Sequence, residues 1–183
     1  MKQIPIELRE GGVMPSKGSQ YAAAYDLYCP ADYEIHKQRN VIPMAFCMEL
    51  PIGWDADIRP RSGFSAKGLE VEVRTKYRRY NGEEYISTCT TRIDADVLLG
   101  LIDCDYRDEV GVMLRVYNME TLDTFAPQQM QFDYIVENHV VITKGTRLAQ
   151  MKVNGGESEL VAVKEINRDI DRGGGYGHTC TKR

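Results

Sequence analysis

The residues GLIDCDYRDEV, 100–110, run an aliphatic approach straight into Asp103, Asp105, Asp108 and Glu109, with Tyr106 and Arg107 among them. A charge-rich turn leaving a core has this composition. So has a strand that aims one carboxylate, Asp103, at something reactive while the others are solvated or salt-bridged. In PRSGFSAKG, 60–68, Arg61 offers a planar fork of donors, Ser62 a hydroxyl and Gly63 an unobstructed backbone, a set that suits phosphate oxygens. An isolated Arg-Ser-Gly is also an ordinary surface turn. In DRGGGYGHT, 171–179, the glycines oppose both helix and strand. Arg172 and the backbone N–H groups there could clasp an anion while Tyr176 closes over a flat ring; a free tail or an RNA-binding segment is the alternative. YAAAYDLY, 21–28, holds Asp26 among aromatic and small residues, where a carboxylate needs a cation, a donor or a metal-bound water. KGTRLAQM, 144–151, is a cationic turn entering a strand that carries Gln150, whose amide needs partners if buried.

Other chemistries find no support. His36, His139 and His178 are scattered without metal-ligand spacing, and H-E-x-x-H, G-x-S-x-G and G-x-x-x-x-G-K-[ST] are absent. Cys29, Cys47, Cys89, Cys104 and Cys180 contain no C-x-x-C pair, which argues against a disulfide framework or zinc knuckle and for a reducing cytoplasm. The net charge of −4 leaves no broad basic footprint, so nucleic acid is not an expected partner. No apolar run approaches the ~20 residues of a membrane helix, and residues 1–10 lack the apolar centre of a signal peptide.

The 183 residues suffice for one domain with a real core. Short apolar segments punctuated by Gly, Pro, Asn and Asp must position the chemical residues: IPIEL, YDLYC, VIPMAFCMEL, WDADIRP, VGVMLRVYN, HVVIT, RLAQMKV and ELVAVKEI. These predict an all-β sandwich or barrel, with one helical turn near Phe64 to Leu69. Asn81-Gly82, flanked by β-branched and aromatic residues, predicts a projecting, solvated hairpin over 74–91. Residues 119–138 read as a second addition, with a strand at 132–136.

Taken in order, AAAYDLY, PRSGFSAKG, GLIDCDYRDEV, GTRLAQM and RGGGYGHT resemble the five motifs of the dUTPases. Each motif alone is a weak signal; five in family order are a strong one. The resemblance implies a distorted jelly-roll β-barrel with an extra β-hairpin, one domain over 1–170 carrying insertions at about 74–91 and 119–138, and a flexible glycine-rich arm over 171–183. It implies a homotrimer whose active sites borrow motifs from neighbouring subunits, and hydrolysis of dUTP to dUMP and pyrophosphate. Asp103 would activate water against the α-phosphorus, and Tyr106 would pack on the deoxyribose and exclude a 2′-hydroxyl. Arg61, with a catalytic part, would hold the phosphates beside Ser62, Gly63 and Gln150, and Arg172 would join them from the arm. Backbone groups from Val97 through Gly100 and Leu101 would read uracil, with Tyr176, Gly177 and His178 closing above it. Asp26 would contact Mg2+ through water. The aliphatics Leu98 to Ile102 would fix the strand that aims Asp103.

The chain also departs from the family pattern. Ala24 and Asp108 stand where glycine is usual, Val97 replaces an asparagine found in some members, and the last motif is one residue short with Tyr176 for Phe. Two other readings follow from the resemblance: the related dCTP deaminase, and a nucleotide-binding module that docks a regulatory protein through its insertions.

Overall fold

A computed structural model describes residues 1–117 and 133–175. Its strands are β1 (Lys2–Leu8), β2 (Tyr25–Tyr28), β3 (Tyr33–Glu34), β4 (Gln38–Pro43), β5 (Phe46–Met48), β6 (Asp55–Arg59), β7 (Leu69–Arg78), β8 (Glu84–Ile93), β9 (Ala95–Val97), β10 (Gly100–Asp103), β11 (Gly111–Val116), β12 (Tyr134–Ile142), β13 (Arg147–Asn154) and β14 (Ser158–Val163). Among the described residues one helix, α1 (Ser62–Lys67), lies between β6 and β7. The fold is all-β, as the short punctuated segments predict. Among the described residues no helix is long and apolar enough to cross a membrane.

The described residues form four sheets, in the orders β14-β1-β5, β10-β6-β13-β2, β4-β11-β9 and β3-β12-β7-β8. Among the described residues no closed barrel is found, and the all-β class of the expectation holds. Period-two alternation decides which face of each strand enters the core. Ile4 and Ile6 do so on β1, as do Leu27 on β2, Ile58 on β6 and Met151 on β13, each at most 2 % exposed. Burying a side chain of this size contributes about 1.5–3 kcal/mol.

VIPMAFCMEL is not one strand but two. Ala45 takes φ +55°, its N–H donates to Glu109 Oε1 at 2.8 Å, and its carbonyl accepts from the Arg9 N–H at 2.9 Å, so the chain turns between β4 and β5.

The hairpin is longer and better covered than expected. Glycine at Gly82 takes φ +87°, and the Gly82 N–H donates to the Arg79 carbonyl while Arg79 N–H donates to Glu83. Because Asn81 keeps a negative φ, the turn is the three-residue kind with a left-handed glycine. β7 also pairs along its other edge with β12, and Leu69, Val71, Val73, Thr75 and Tyr77 are all buried. The prediction of a projecting solvated hairpin therefore fails for β7: the alternation beginning at Leu69 puts one face in the core. The opposite face is solvated and ion-paired, with Lys76 and Arg78 both on Glu84. The second addition lies mostly outside the described residues; its strand begins at Tyr134 and runs to Ile142 as part of β12.

α1 is held by its ends. Arg61 is its extended N-cap residue, Phe64 is its buried anchor, and the Gly68 N–H donates to the Phe64 carbonyl at 2.9 Å. Gly68 has φ +75°, and an added Cβ would lie 2.6 Å from the Ile93 carbonyl oxygen, so the turn into β7 requires glycine.

Candidate active site

Asp103 is the last residue of β10 and pairs with Asp55 of β6; Leu101 pairs with Asp57. Leu101 and Asp103 share the outer face while Ile102 points inward at 6 % exposure. The expectation that a run of aliphatics fixes this strand needs correction, because Leu99 and Leu101 are 73 % and 62 % exposed. The strand is held by its ladder to β6 and by Ile102.

Behind Asp103 the chain closes a tight turn. The Tyr106 N–H donates to the Asp103 carbonyl at 3.1 Å, and the Tyr106 hydroxyl donates to the Glu109 carbonyl at 2.8 Å, which fixes the buried ring. Arg107, only 2 % exposed, donates to the carbonyls of Asn167 (2.6 Å), Cys104 (2.7 Å) and Tyr106 (3.1 Å). A buried cation is tolerated because oxygens surround it. Its carbonyl partners tie the turn to the chain segment that leads into the arm.

The Tyr106 ring faces a cavity of about 460 Å³. Gly100, Leu101 and Ile102 of β10, Leu98, and Met113 and Leu114 of β11 line it, with Arg39, Asn40, Arg172 and Gly175 also on its wall. Val97 is not on that wall. It is 4 % exposed and its strand pairs with β11. Arg172 reaches the cavity from the arm, forms an ion pair with Asp103, and stands 5.5 Å over the Tyr106 ring. Tyr176, Gly177 and His178 lie outside the described residues.

A second constellation occupies the far end of the same sheet. Asp26, on β2 and opposite Gln150 of β13, is 13 % exposed; Arg61 Nε donates to its Oδ1 at 2.9 Å and Arg147 stands 3.5 Å from its Oδ2. Arg61 is thus the partner that makes a part-buried carboxylate tolerable, and it also reaches the Arg147 carbonyl at 3.4 Å. The Gln150 amide donates to the Pro60 carbonyl at 2.9 Å, locking the start of the Arg-Ser-Gly turn. Ser62 and Gly63 are exposed on the first turn of α1. A cavity of about 330 Å³ lies beside this group, lined by Gly18, Ala22, Ala23, Ala24, Asp26, Arg59, Gln150 and Lys152.

Sequence reasoning missed Arg59, Lys152 and Arg147. The alternation of strand side chains could have found two of them. Arg59 pairs directly with Gln150, and Lys152 lies two residues beyond it, so all three share a face. Asp57 is opposite Lys152, and its carboxyl is held below the ordinary carboxylate value by hydrogen bonds from Arg59 and then Asn154.

Within one chain the two constellations do not meet. Asp103 aligns with Asp55 while Gln150 aligns with Arg59, four positions along β6. That is ~13 Å along the strand and, two strands over, ~10 Å across it. One end of the sheet offers a carboxylate beside an aromatic ring and an apolar cavity. The other offers guanidinium, ammonium, amide and hydroxyl donors around one paired carboxylate.

Among the described residues no group of three His, Cys, Asp or Glu side chains could hold a metal ion. Asp26 has guanidinium groups against both oxygens, which leaves it suited to a water-mediated contact rather than to a protein cage.

The fold and these two groups define an all-β chain with two clusters of charged and polar side chains at opposite ends of one sheet. A dUTPase family model matches residues 11–92. The deoxyuridine 5′-triphosphate nucleotidohydrolase of Hydrogenobaculum sp. is 28 % identical over 185 residues, covering 100 % of each chain. That of Candida glabrata is 29 % identical over 182 residues, covering 96 % of this chain and 95 % of its own. Among solved structures, the dUTPase of Staphylococcus bacteriophage 80alpha with dUPNHPP superimposes with a TM-score of 0.55 at 20 % identity, over 95 % of this chain and 96 % of that one. The resemblance carried by the five motifs is borne out: the chain is similar to dUTPases in its family-model match, in its relatives and in its fold.

Proposed function

We propose that the protein hydrolyses dUTP to dUMP and pyrophosphate, with the nucleoside at the Tyr106 cavity and the triphosphate spanning to an Asp26–Arg61–Gln150 group. The observation that carries this reading is Asp103 at the open end of β10, on the turn that holds the Tyr106 ring against an apolar cavity. The relatives' names and the order of the motifs support the same substrate.

In this reading Asp103 accepts a proton from the water that attacks the α-phosphorus. One positioned base of this kind contributes ~10²–10⁴-fold. Positioning and charge stabilisation supply the remainder, from Arg61, Ser62, the Gly63 backbone and Gln150, with Arg59 and Lys152 enlarging the cationic wall. Mg2+ bound to the triphosphate would neutralise charge on its oxygens, and Asp26 would hold one of its waters. Tyr106, fixed through its hydroxyl, would exclude a 2′-hydroxyl by contact, and backbone groups near Gly100 and Leu101 would read the uracil edge.

The separation of the two constellations gives the assembly its reason. A single α-phosphorus cannot sit beside both groups in one chain, so a homotrimer that brings Asp103 of one copy to the phosphate group of another completes the site. Domain boundaries at 1–170 and 171–183, and a cytoplasmic setting, accompany this reading.

The test is incubation with magnesium and each of dUTP, dTTP, dCTP and UTP, followed by pyrophosphate and ammonia release. Pyrophosphate from dUTP alone, abolished by Asp103→Asn with assembly intact, is the expected result. Ammonia from dCTP would replace it with the deaminase reading. Near-normal turnover by Asp103→Asn would remove Asp103 from the mechanism.

A further inference from the structure

We infer that Arg39 is a specificity residue whose guanidinium donates to the exocyclic carbonyl of the base and so favours uracil over cytosine. The inference rests on the dUTPase reading and deepens it, by assigning a side chain to the far end of the nucleoside cavity.

Arg39 lies on β4, where alternation buries Asn40 and Ile42 and leaves Arg39 and Val41 on the outer face. Both outer residues stand on the cavity wall. β11 forms the neighbouring part of that wall. Its Met113 pairs with Val41, and an added Cβ on Gly100 would lie 3.6 Å from Met113 Cε, so β10 and β11 meet at the cavity. Gly111, opposite Pro43, marks the Tyr106 end, and Arg39 pairs with Arg115 four positions further along. That is ~13 Å of strand. A nucleotide that brings its α-phosphorus to Asp103 and its sugar to Tyr106 therefore directs its base towards Arg39.

The other polar side chains of the wall are engaged. Asn40 accepts from the His36 N–H at 2.8 Å and donates to the His36 carbonyl at 3.0 Å. The Tyr106 hydroxyl donates to the Glu109 carbonyl, and Arg172 pairs with Asp103. Arg39 is exposed, and among the described residues it forms no ion pair or side-chain hydrogen bond. Its ladder neighbour Arg115, 5.0 Å over the Tyr117 ring, is a like charge that offers no acceptor.

A guanidinium carries donors and no acceptor. Uracil presents the O4 carbonyl where cytosine presents an amino group. With uracil a donor meets an acceptor. With cytosine two donors meet and both lose their partners, the situation in which a polar site discriminates most strongly.

The experiment measures kcat/KM for dUTP and the inhibition constants of dUMP and dCMP, for the unmodified protein and for Arg39→Met, Arg39→Gln and Arg39→Lys. Arg39→Met should weaken dUMP and lower kcat/KM for dUTP by about 10–100-fold, as loss of a hydrogen bond from a charged donor implies, with dCMP changed by less than about twofold. Arg39→Lys keeps a donor-only head and should restore most of the preference. Arg39→Gln can turn its amide oxygen to the cytosine amino group and should bind dCMP more tightly than Arg39→Met does. Because Arg39 is exposed, each variant should keep the native Tm. An unchanged ratio of dUMP to dCMP affinity in Arg39→Met would overturn the inference while the dUTPase reading stands; parallel weakening of both nucleotides would assign Arg39 to phosphate. If the unmodified protein neither hydrolyses dUTP nor binds dUMP, the dUTPase reading falls and this assignment falls with it.

Discussion

The Asp26 carboxylate and the Arg61 guanidinium form a 2.9 Å ion pair between β2 and the start of α1, with the carboxylate only 13 % exposed. It joins two of the five motifs, and Arg147 at 3.5 Å brings in a third. Arg61→Ala would leave a part-buried carboxylate with one distant cation. The expected cost is about 1–3 kcal/mol, read as a fall of ~2–4 °C in Tm per kcal/mol together with loss of turnover. A variant with native Tm would show that the pair has no structural role.

Arg107 presents the opposite situation, a buried cation that donates to carbonyl oxygens. Arg107→Met fills similar space but strands the acceptors of Cys104, Tyr106 and Asn167. Destabilisation of about 3 kcal/mol or more is expected in urea unfolding. Arm release should accompany it, visible as faster cleavage after Arg172. A loss below about 1 kcal/mol would contradict the assigned role.

Acid should loosen the arm's root. Arg168, then the Ile166 N–H against the opposing effect of burial, holds the Glu7 carboxyl below its ordinary value of 4.5. The depressed value means that Glu7 contributes stability above about pH 4.5, lost as the pH falls through its folded-state value. Glu7→Gln should therefore lower stability at pH 7 and flatten the decline below pH 4.5, measured by denaturant titration across pH 3–7. An unchanged acid slope would count against the linkage.

Lys152 shares a strand face with Gln150 and lines the smaller cavity. If that cavity takes the phosphates, Lys152→Gln should raise the KM for dUTP several-fold, by about 3–10-fold, with little change in kcat. The difference should shrink in high salt as the cation is screened. An identical KM across salt concentrations would place the triphosphate elsewhere.

Much of this molecule was legible as local pattern. Short apolar segments mark β1, β2, β6, β11 and β13 within a residue or two, and β14 with an end three residues past Val163, because a half-buried strand writes its burial into every second side chain. The motif order marked Asp26, Arg61, Asp103, Tyr106 and Gln150, whose chemistry is local to each turn. Less legible were features set by what packs against a segment. The β7 residues from Arg74 onward pattern as a solvated hairpin because their partner β12 lies some 60 residues away. The aliphatics before Asp103 looked buried, yet Leu99 and Leu101 face outward, since a one-residue register decides the face.

The amino-acid sequence by itself determined the strand-rich class, the five chemical turns and the charges each one carries. Only the tertiary structure decided which of them meet: Asp26 with Arg61 and Arg147 at one end of the β10-β6-β13-β2 sheet, and Asp103 with Arg172 at the other. The physical reason is strand register. Pairing partners distant in sequence set positions along β6, and four residues of offset separate two groups that the motifs alone would place side by side.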